Sequence, residues 1–229
     1  MRRASFRSAF LLSSLFGGSC FLCRGAARDL LCDACRDELP RLAGPACPRC
    51  ALGSPRGEPC GRCLAEPPPY DATVAALAYA FPADVLIHAL KFRGELALAP
   101  LLGGFLLEKI HSNEADFVIP VPLSNERLRE RGYNQAVEIA RATGKPVELD
   151  LCIRQRHTPQ QADLPWSERQ RNVRGAFACT RRLDGQSVAV VDDVMTTGAT
   201  LAEVATTLKA AGAARVVNWV VARTLPPHA

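Results

Sequence analysis

The chain has 229 residues, 48% of them apolar, 22% charged and 6% aromatic, with 17 Pro, 16 Gly and 10 Cys. This length suits one ordinary domain with a small module, or two modest domains, and the apolar fraction supports a real core. Collagen-like, wholly disordered and many-helix membrane classes are excluded. The formal charge is +5, from 28 Lys+Arg against 23 Asp+Glu, and eight of the ten cysteines fall between Cys20 and Cys63.

The chain opens on MRRASFRSAFLLSSLFGGSC, which has arginines, an apolar stretch from Ala9 to Phe16 and small residues before Cys20. A secretory signal is one reading of it. The apolar stretch is short for that role, the aliphatic residue of a lipoprotein signal is missing before Cys20, and cleavage there would expose a cysteine needed elsewhere. Residues 1–19 are therefore expected to form a short amphipathic helix docked on the protein. No segment is long enough to span a membrane, and the expected compartment is the cytoplasm.

The eight clustered cysteines form four C-x-x-C pairs: Cys20 and Cys23, Cys32 and Cys35, Cys47 and Cys50, Cys60 and Cys63. Such a turn aims two thiolates at one point, and two turns complete a tetrahedral S4 shell suited to Zn2+. One C-x-x-C is weak evidence because redox sites share the spacing, but four within 44 residues favour metal over disulfide or redox chemistry. Consecutive pairing makes two short zinc ribbons in tandem with two structural ions. Spacing alone leaves the cross-paired assignment open. Cys152 and Cys179 lie far apart in strand-like segments and read as small buried hydrophobes.

Residues 20–66 thus form a metal-stapled module too poor in apolar residues to fold without its ions. The Pro-rich run AEPPPY, 65–70, marks the boundary with a second domain, 71–229. There Val74–Tyr79 reads as a buried strand and Asp84–Phe92 as a helix started by Pro82 and Asp84. Leucines and Phe105 at three- and four-residue spacing predict a helix over 95–111. Phe117–Val121 is a strand, Asn134–Thr143 a helix stopped by Gly144, and Val147–Leu151 another strand. Residues 154–182 are polar and basic without clear period. Ser187–Val191, Thr200–Ala211 and Val216–Ala222 then read as strand, helix and strand, a crossover unit of a parallel sheet. The expected architecture is α/β, with any ligand at the carboxyl ends of the strands.

At that end lies VVDDVMTTGATL, residues 190–201. Asp192 and Asp193 leave the strand, and Thr196, Thr197, Gly198, Ala199 and Thr200 close a tight loop that opens a helix. Successive N–H groups and three hydroxyls around a helix N-terminus make a phosphate site. Gly198 lets the backbone come close. The carboxylates repel phosphate but fit hydroxyls or a cation on the same ligand, so the pattern fits a ribose 5-phosphate. An acidic strand end feeding a well-capped helix is the bland alternative, and a response-regulator pocket wants its carboxylates earlier in the domain.

This segment resembles the motif by which type I phosphoribosyltransferases bind 5-phosphoribosyl 1-diphosphate (PRPP). With the four C-x-x-C turns, Leu90–Gly94, Val121-Pro122-Leu123 and Arg131-Gly132-Tyr133-Asn134-Gln135, the chain resembles the ComF family, including GntX-like proteins, from about Cys20 to Leu225. The resemblance implies a double zinc ribbon joined to a type I phosphoribosyltransferase fold with a central parallel sheet, and a link to DNA uptake in competence or to use of DNA as a nutrient. It assigns the ribose hydroxyls to Asp192 and Asp193, as the catalytic pair, and the 5-phosphate to the segment from Val194 through Thr196–Thr200. The loop carrying Pro122 and Leu123 would face pyrophosphate, with Lys91, Arg93 and Arg131 as countercharges. Seven arginines against two acids in 154–182 resemble the mobile loop that closes over PRPP, in which Gln160, Arg169, Arg171 and Asn172 would work.

If the chain is an enzyme, pyrophosphate leaves C1 of PRPP through an oxocarbenium-like state, with Mg2+ neutralising the leaving group and the acceptor unknown. The competing reading is a non-catalytic sensor or scaffold that keeps a PRPP pocket and engages single-stranded DNA or a DNA-uptake protein. Aromatic residues for base stacking are few: Phe92, Tyr133, Trp166 and Trp219, the last mid-strand and expected in the core. Two zinc ions on eight thiolates would lower the formal charge from +5 to about +1, so global charge gives little support to nucleic-acid binding.

Overall fold

The structure is a computed structural model and describes residues 18–110, 115–156 and 173–226. The helix expected before Cys20 lies outside them up to residue 17. The chain divides into two compact units, Met1–Leu39 and Pro40–Ala229. In the first, β1 (Gly18–Ser19) pairs antiparallel with β2 (Ala26–Ala27), and helix α1 (Asp33–Asp37) follows. Cys20 and Cys23 sit in the turn between the strands, and Cys32 is the N-cap of α1.

The second unit opens with the same local plan. Ala46 and Gly53 bridge antiparallel around the turn that holds Cys47 and Cys50, and Cys60 is the N-cap of α2 (Gly61–Ala65), which carries Cys63. The N-cap backbones of Cys32 and Cys60 agree within a degree, at φ −71 and −70 with ψ 161. After this ribbon come β3 (Ala72–Ala78), α3 (Ala83–Phe92), α4 (Leu98–Leu107), β4 (Phe117–Pro120), α5 (Asn125–Arg131) and α6 (Gln135–Ala142). The short strands β5 (Cys152–Arg154) and β6 (Phe177–Cys179), the long strand β7 (Ser187–Met195), α7 (Ala199–Ala210) and β8 (Arg215–Arg223) complete the unit.

Four strands form one all-parallel sheet in the order β3-β8-β7-β4. Val188 and Val190 point to one side of β7 and Ala189 and Val191 to the other, and all four are fully buried. Both faces are therefore covered, as a parallel sheet requires. Leu201, Val204, Ala205 and Leu208 of α7 pack in a core with Val188, Val190, Val216 and Val220. Helix α4 lies against α6 so closely that a Cβ on Gly103 would stand 2.6 Å from Cβ of Ala142. The free edge of β3 is covered by residues 40–42 through an antiparallel bridge between Arg41 and Leu77, which leaves no bare edge there for a stray strand.

Besides Gly18–Ser19, a strand where the helix over 1–19 is expected, the structure departs from the sequence reading in four places. Strand β7 does not end at Val191 but runs on to Met195, because Asp192, Val194 and Met195 keep pairing with Val220, Ala222 and Arg223. The strand expected at Val147–Leu151 is reduced to one bridge between Val147 and Val118, and Leu149 beyond it turns toward solvent. The basic stretch after Arg154 contains β6, which pairs antiparallel with β5 and sets Cys152 opposite Cys179. Helix α5 escaped notice because NERLRER buries no residue and so shows no apolar period. Trp219 is fully buried, as its mid-strand position suggested. Among the described residues no helix is long and apolar enough to cross a membrane.

Candidate functional site

Each cysteine quartet is assembled from consecutive pairs. The sulfurs of Cys20, Cys23, Cys32 and Cys35 lie within 4.8 Å of one another, and so do those of Cys47, Cys50, Cys60 and Cys63. The cross-paired arrangement is thereby excluded. A tetrahedral ZnS4 site with Zn–S near 2.3 Å has sulfur–sulfur edges of about 3.8 Å. The observed separations, Cys23 to Cys32 and Cys50 to Cys60, are each 3.7 Å. Donor set and spacing therefore fit one structural Zn2+ per quartet. Burial opposes ionisation of Cys20 and Cys47, but amide N–H groups aimed at their sulfurs overcome it and bring the thiols down to about 6 and about 7. The quartets differ in setting. Cys47, Cys50 and Cys63 share the core of the parallel-sheet domain with Val190, Ala199 and Leu201, whereas Cys23 is exposed.

The acidic pair sits near the carboxyl end of β7. Asp193 is buried, its Oδ1 accepts from the Val194 amide at 2.9 Å, and its Oδ2 lies 3.0 Å from Nζ of Lys91 on α3. Burial works against its ionisation, yet Lys91 holds the carboxyl below the usual range. Asp192, only half-buried by surface yet desolvated, is pushed well above that range by burial and then by the adjacent Asp193 charge. Asp193 also raises the Lys91 pKa. A neutral-to-anionic carboxyl next to a fixed ion pair results. Asp193 is committed to an ammonium, which leaves Asp192 as the carboxylate able to take hydroxyl donors or a hard cation such as Mg2+.

After Met195 the chain turns through Thr196, Thr197 and Gly198 into α7. Gly198 is the N-cap of α7 with φ +84, a left-handed backbone that a side chain resists. A Cβ there would also stand 2.7 Å from Met195 Cε and 3.0 Å from Tyr70 Oη. Thr197 Oγ1 accepts from the Ala199 amide at 3.1 Å, fixing the turn.

In front of the acidic pair opens a cavity of about 330 Å³. Asp192, Asp193, Val194, Thr196 and Thr200 line it together with Lys91, Leu123, Arg131 and Gln135. Thr197, Gly198 and Ala199 instead line a neighbouring cavity of about 310 Å³ with Arg62 and Tyr70. Pro122 lines neither of them, and its neighbours Val121 and Leu123 line the first. Arg93 lies in an adjoining basic recess with Arg127 and Tyr133. Arg169 and Arg171, with Gln160 and Asn172, fall outside the described residues.

Sequence reading missed Arg127, Arg154, Tyr79 and His88, which all line the main cavity. Arg127 rides on the unforeseen α5, whose N-cap Ser124 accepts from the Arg127 amide. Arg154 arrives on β5, and burial, then Arg127, lowers its pKa to about 10. Arg131 donates to Gln135 and stacks over Phe92 at 5.4 Å, while Tyr133 donates to the Leu90 carbonyl. Asn134 caps α6 and reaches the Val121 carbonyl at 3.0 Å, which ties the RGYNQ segment to the loop after β4. Lys91, Arg127, Arg131 and Arg154 thus line one cavity with Asp192, Asp193, Thr196 and Thr200. That combination can hold a ligand bearing both phosphates and hydroxyls.

Residues 99–224 match the family described as phosphoribosyl transferase domain, and residues 11–64 the double zinc ribbon domain. Fold and site together define a phosphoribosyltransferase-fold domain with cysteine ribbons ahead of it. Over 91% of its length, and 98% of theirs, the chain is 36% identical to DNA utilization protein YhgH of Escherichia coli. It is 29% identical to competence protein F of Haemophilus influenzae, over 93% of this chain and 100% of that one. The chain belongs to the ComF family of phosphoribosyltransferase-like proteins with a double zinc ribbon. Among solved structures, a purine phosphoribosyltransferase from Pyrococcus horikoshii is 19% identical, with a TM-score of 0.31 over 66% of this chain and 87% of that one.

Proposed function

We propose that the main cavity binds PRPP together with Mg2+ and that the protein transfers the phosphoribosyl group to an acceptor. The observation that carries this reading is the convergence on one cavity of Asp192, Thr196, Thr200 and the cations Lys91, Arg127, Arg131 and Arg154. Asp192 accepts from ribose hydroxyls. Asp193 does not reach the ligand directly but holds Lys91 in place. Hydroxyls of Thr196 and Thr200 serve the 5-phosphate, and the arginines counter the diphosphate.

In the transfer, the bond from C1 to the diphosphate oxygen breaks with its electron pair leaving on the diphosphate. A bond from the acceptor to C1 forms, and the acceptor loses its proton to solvent or to the departing group. When bound, Mg2+ supplies charge neutralisation of the leaving diphosphate. The chain's part is positioning and a fixed field of positive charge, which costs no reorganisation during the reaction. The names of the relatives, DNA utilization protein and competence protein F, support a role in DNA uptake or use, with single-stranded DNA or an uptake protein as partner. Two reduced cysteine quartets suit the reducing cytoplasm.

Calorimetry with Mg2+ and PRPP on wild type and Asp192→Ala tests the pocket. Micromolar binding by wild type and at least tenfold loss in the variant are expected, and equal weak binding by both would sink the reading. Pyrophosphate release with a panel of bases and nucleosides then separates transfer from sensing.

A further inference from the structure

Arg223, at the end of β8, is 1% exposed and has no ion-pair carboxylate among the described residues. A buried guanidinium is costly unless its donors are satisfied and its charge is offset. Its Nε and Nη1 donors go to backbone carbonyls. Nε donates to Cys50 at 2.9 Å, and Nη1 to Met195 at 2.8 Å, to Thr196 and to Thr224 at 2.9 Å. One side chain therefore holds a zinc-knuckle carbonyl and the first two carbonyls of the turn that leads to Gly198.

A second link runs in parallel. Arg49, between Cys47 and Cys50, donates from Nη1 to the Tyr70 carbonyl at 3.2 Å. The Tyr70 ring is buried, and its Oη stands 3.0 Å from where a Cβ of Gly198 would be. Zinc would fix the Cys47–Cys50 backbone, and a ZnS4 centre carries a formal charge of −2 close to the buried cation. Loss of that ion removes both the rigid anchor and the countercharge at once.

We propose that the second quartet, when it holds zinc, sets the conformation of the Thr196–Gly198 turn, with Arg223 as the positioning residue that transmits it. Ligand binding by the turn then depends on metal in the Cys47, Cys50, Cys60 and Cys63 site and not on the first quartet. The ligand part rests on the PRPP reading above. The mechanical part does not.

The test uses the full chain loaded with two zinc ions. Zinc release to a chromophoric chelator is followed, and alkylation mapping assigns each ion to its quartet. Amide exchange is measured at residues 196–201 and at residues 188–191 in the sheet. In wild type, exchange at 196–201 is expected to rise at least tenfold in step with loss of the second quartet's ion, with no change when the first ion leaves. Arg223→Lys keeps a cation but cannot span the carbonyls. It is expected to speed release of the second ion and loop exchange together, at least tenfold, and to leave residues 188–191 protected. Loop exchange that ignores the second ion in wild type, or wild-type release and exchange in Arg223→Lys, overturns the proposal. If Arg223→Lys does not fold, the wild-type arm decides alone. Because coupling between binding free energies is reciprocal, PRPP with Mg2+ should raise the affinity for the second ion at least fivefold, read by competition with the chelator, and spare the first. Absence of any PRPP binding to the zinc-loaded protein would instead remove the ligand assignment, while exchange and release still judge the coupling.

Discussion

Lys91 Nζ stands 3.0 Å from Asp193 Oδ2, joining the last turn of α3 to the carboxyl end of β7 at the edge of the cavity. The contact decides how two adjacent carboxyls divide their labour. Asp193 takes the ammonium and stays ionised, and Asp192 carries the cost of burial and like charge. Removing the Asp193 charge leaves Lys91 facing Asp192 alone. Asp193→Asn is expected to lose about 2 kcal/mol of stability, less than for a fully buried pair because Lys91 is partly open to water. Urea unfolding at pH 7 measures it, and a wild-type midpoint would refute the division of roles.

The raised pKa of Asp192 means that the folded state holds its proton more tightly than the unfolded chain does. Its contribution to stability is therefore full below the ordinary carboxyl value of about 3.9 and is lost as pH rises through its higher native value. Asp192→Asn, which cannot ionise, should be more stable than wild type at pH 8, with the gap closing toward acid. Affinity for PRPP in wild type should rise over the same interval, since hydroxyl donors need the carboxylate. Thermal melts and calorimetry at stepped pH check both halves, and a pH-independent stability gap would contradict the first.

Gly198→Ala forces a side chain into a left-handed backbone and against Tyr70 Oη and Met195 Cε. The methyl end of Met195 can move, but the Tyr70 ring is confined in the core. A loss of about 2 kcal/mol is expected, mostly from the backbone term. Combining it with Tyr70→Phe should recover part of the overlap cost and none of the backbone cost. Denaturant midpoints of the four proteins in this cycle give the answer, and simple additivity would show that Tyr70 does not press on the turn.

Neighbouring glycines in α4 offer a sharper contrast. A Cβ on Gly103 would meet Ala142 Cβ at 2.6 Å and the Ile139 carbonyl at 3.2 Å, while one on Gly104 meets nothing within 4 Å. Gly103→Ala should destabilise by about 1–3 kcal/mol through overpacking against α6. Gly104→Ala should stabilise by about 0.5–1 kcal/mol through lower chain entropy in the unfolded state and better helix propensity. Effects of equal sign in thermal unfolding would mean that α4 does not dock on α6 at Gly103.

Legibility followed the range of the interaction concerned. The strands at Val74, Phe117, Ser187 and Val216 could be read because a strand buried on both faces must be apolar throughout. Helix α5 could not, since its stability comes from the Ser124 cap, the Gly132 stop with φ +80 and its place beside the cavity, none of which imprints an apolar period. Cys152 and Cys179 each read as small strand residues, but their facing register depends on a pairing between chain segments far apart in sequence.

The sequence by itself determined the eight cysteines of the two quartets, the acidic pair and the Thr-Gly turn. Each of these is a local device, in which residue type and spacing of a few positions set the backbone turn and aim the donor atoms. The tertiary structure decided how the knuckles pair, that β7 carries both aspartates to its end, and which cations reach them. Lys91 meets Asp193, and Arg127 and Arg154 line the same cavity, only because the sheet order β3-β8-β7-β4 brings separate loops to one end. Arg223 joins Cys50 to Met195 and Thr196 for the same reason. Such contacts are selected by packing of distant segments, and no short spacing in the chain encodes them.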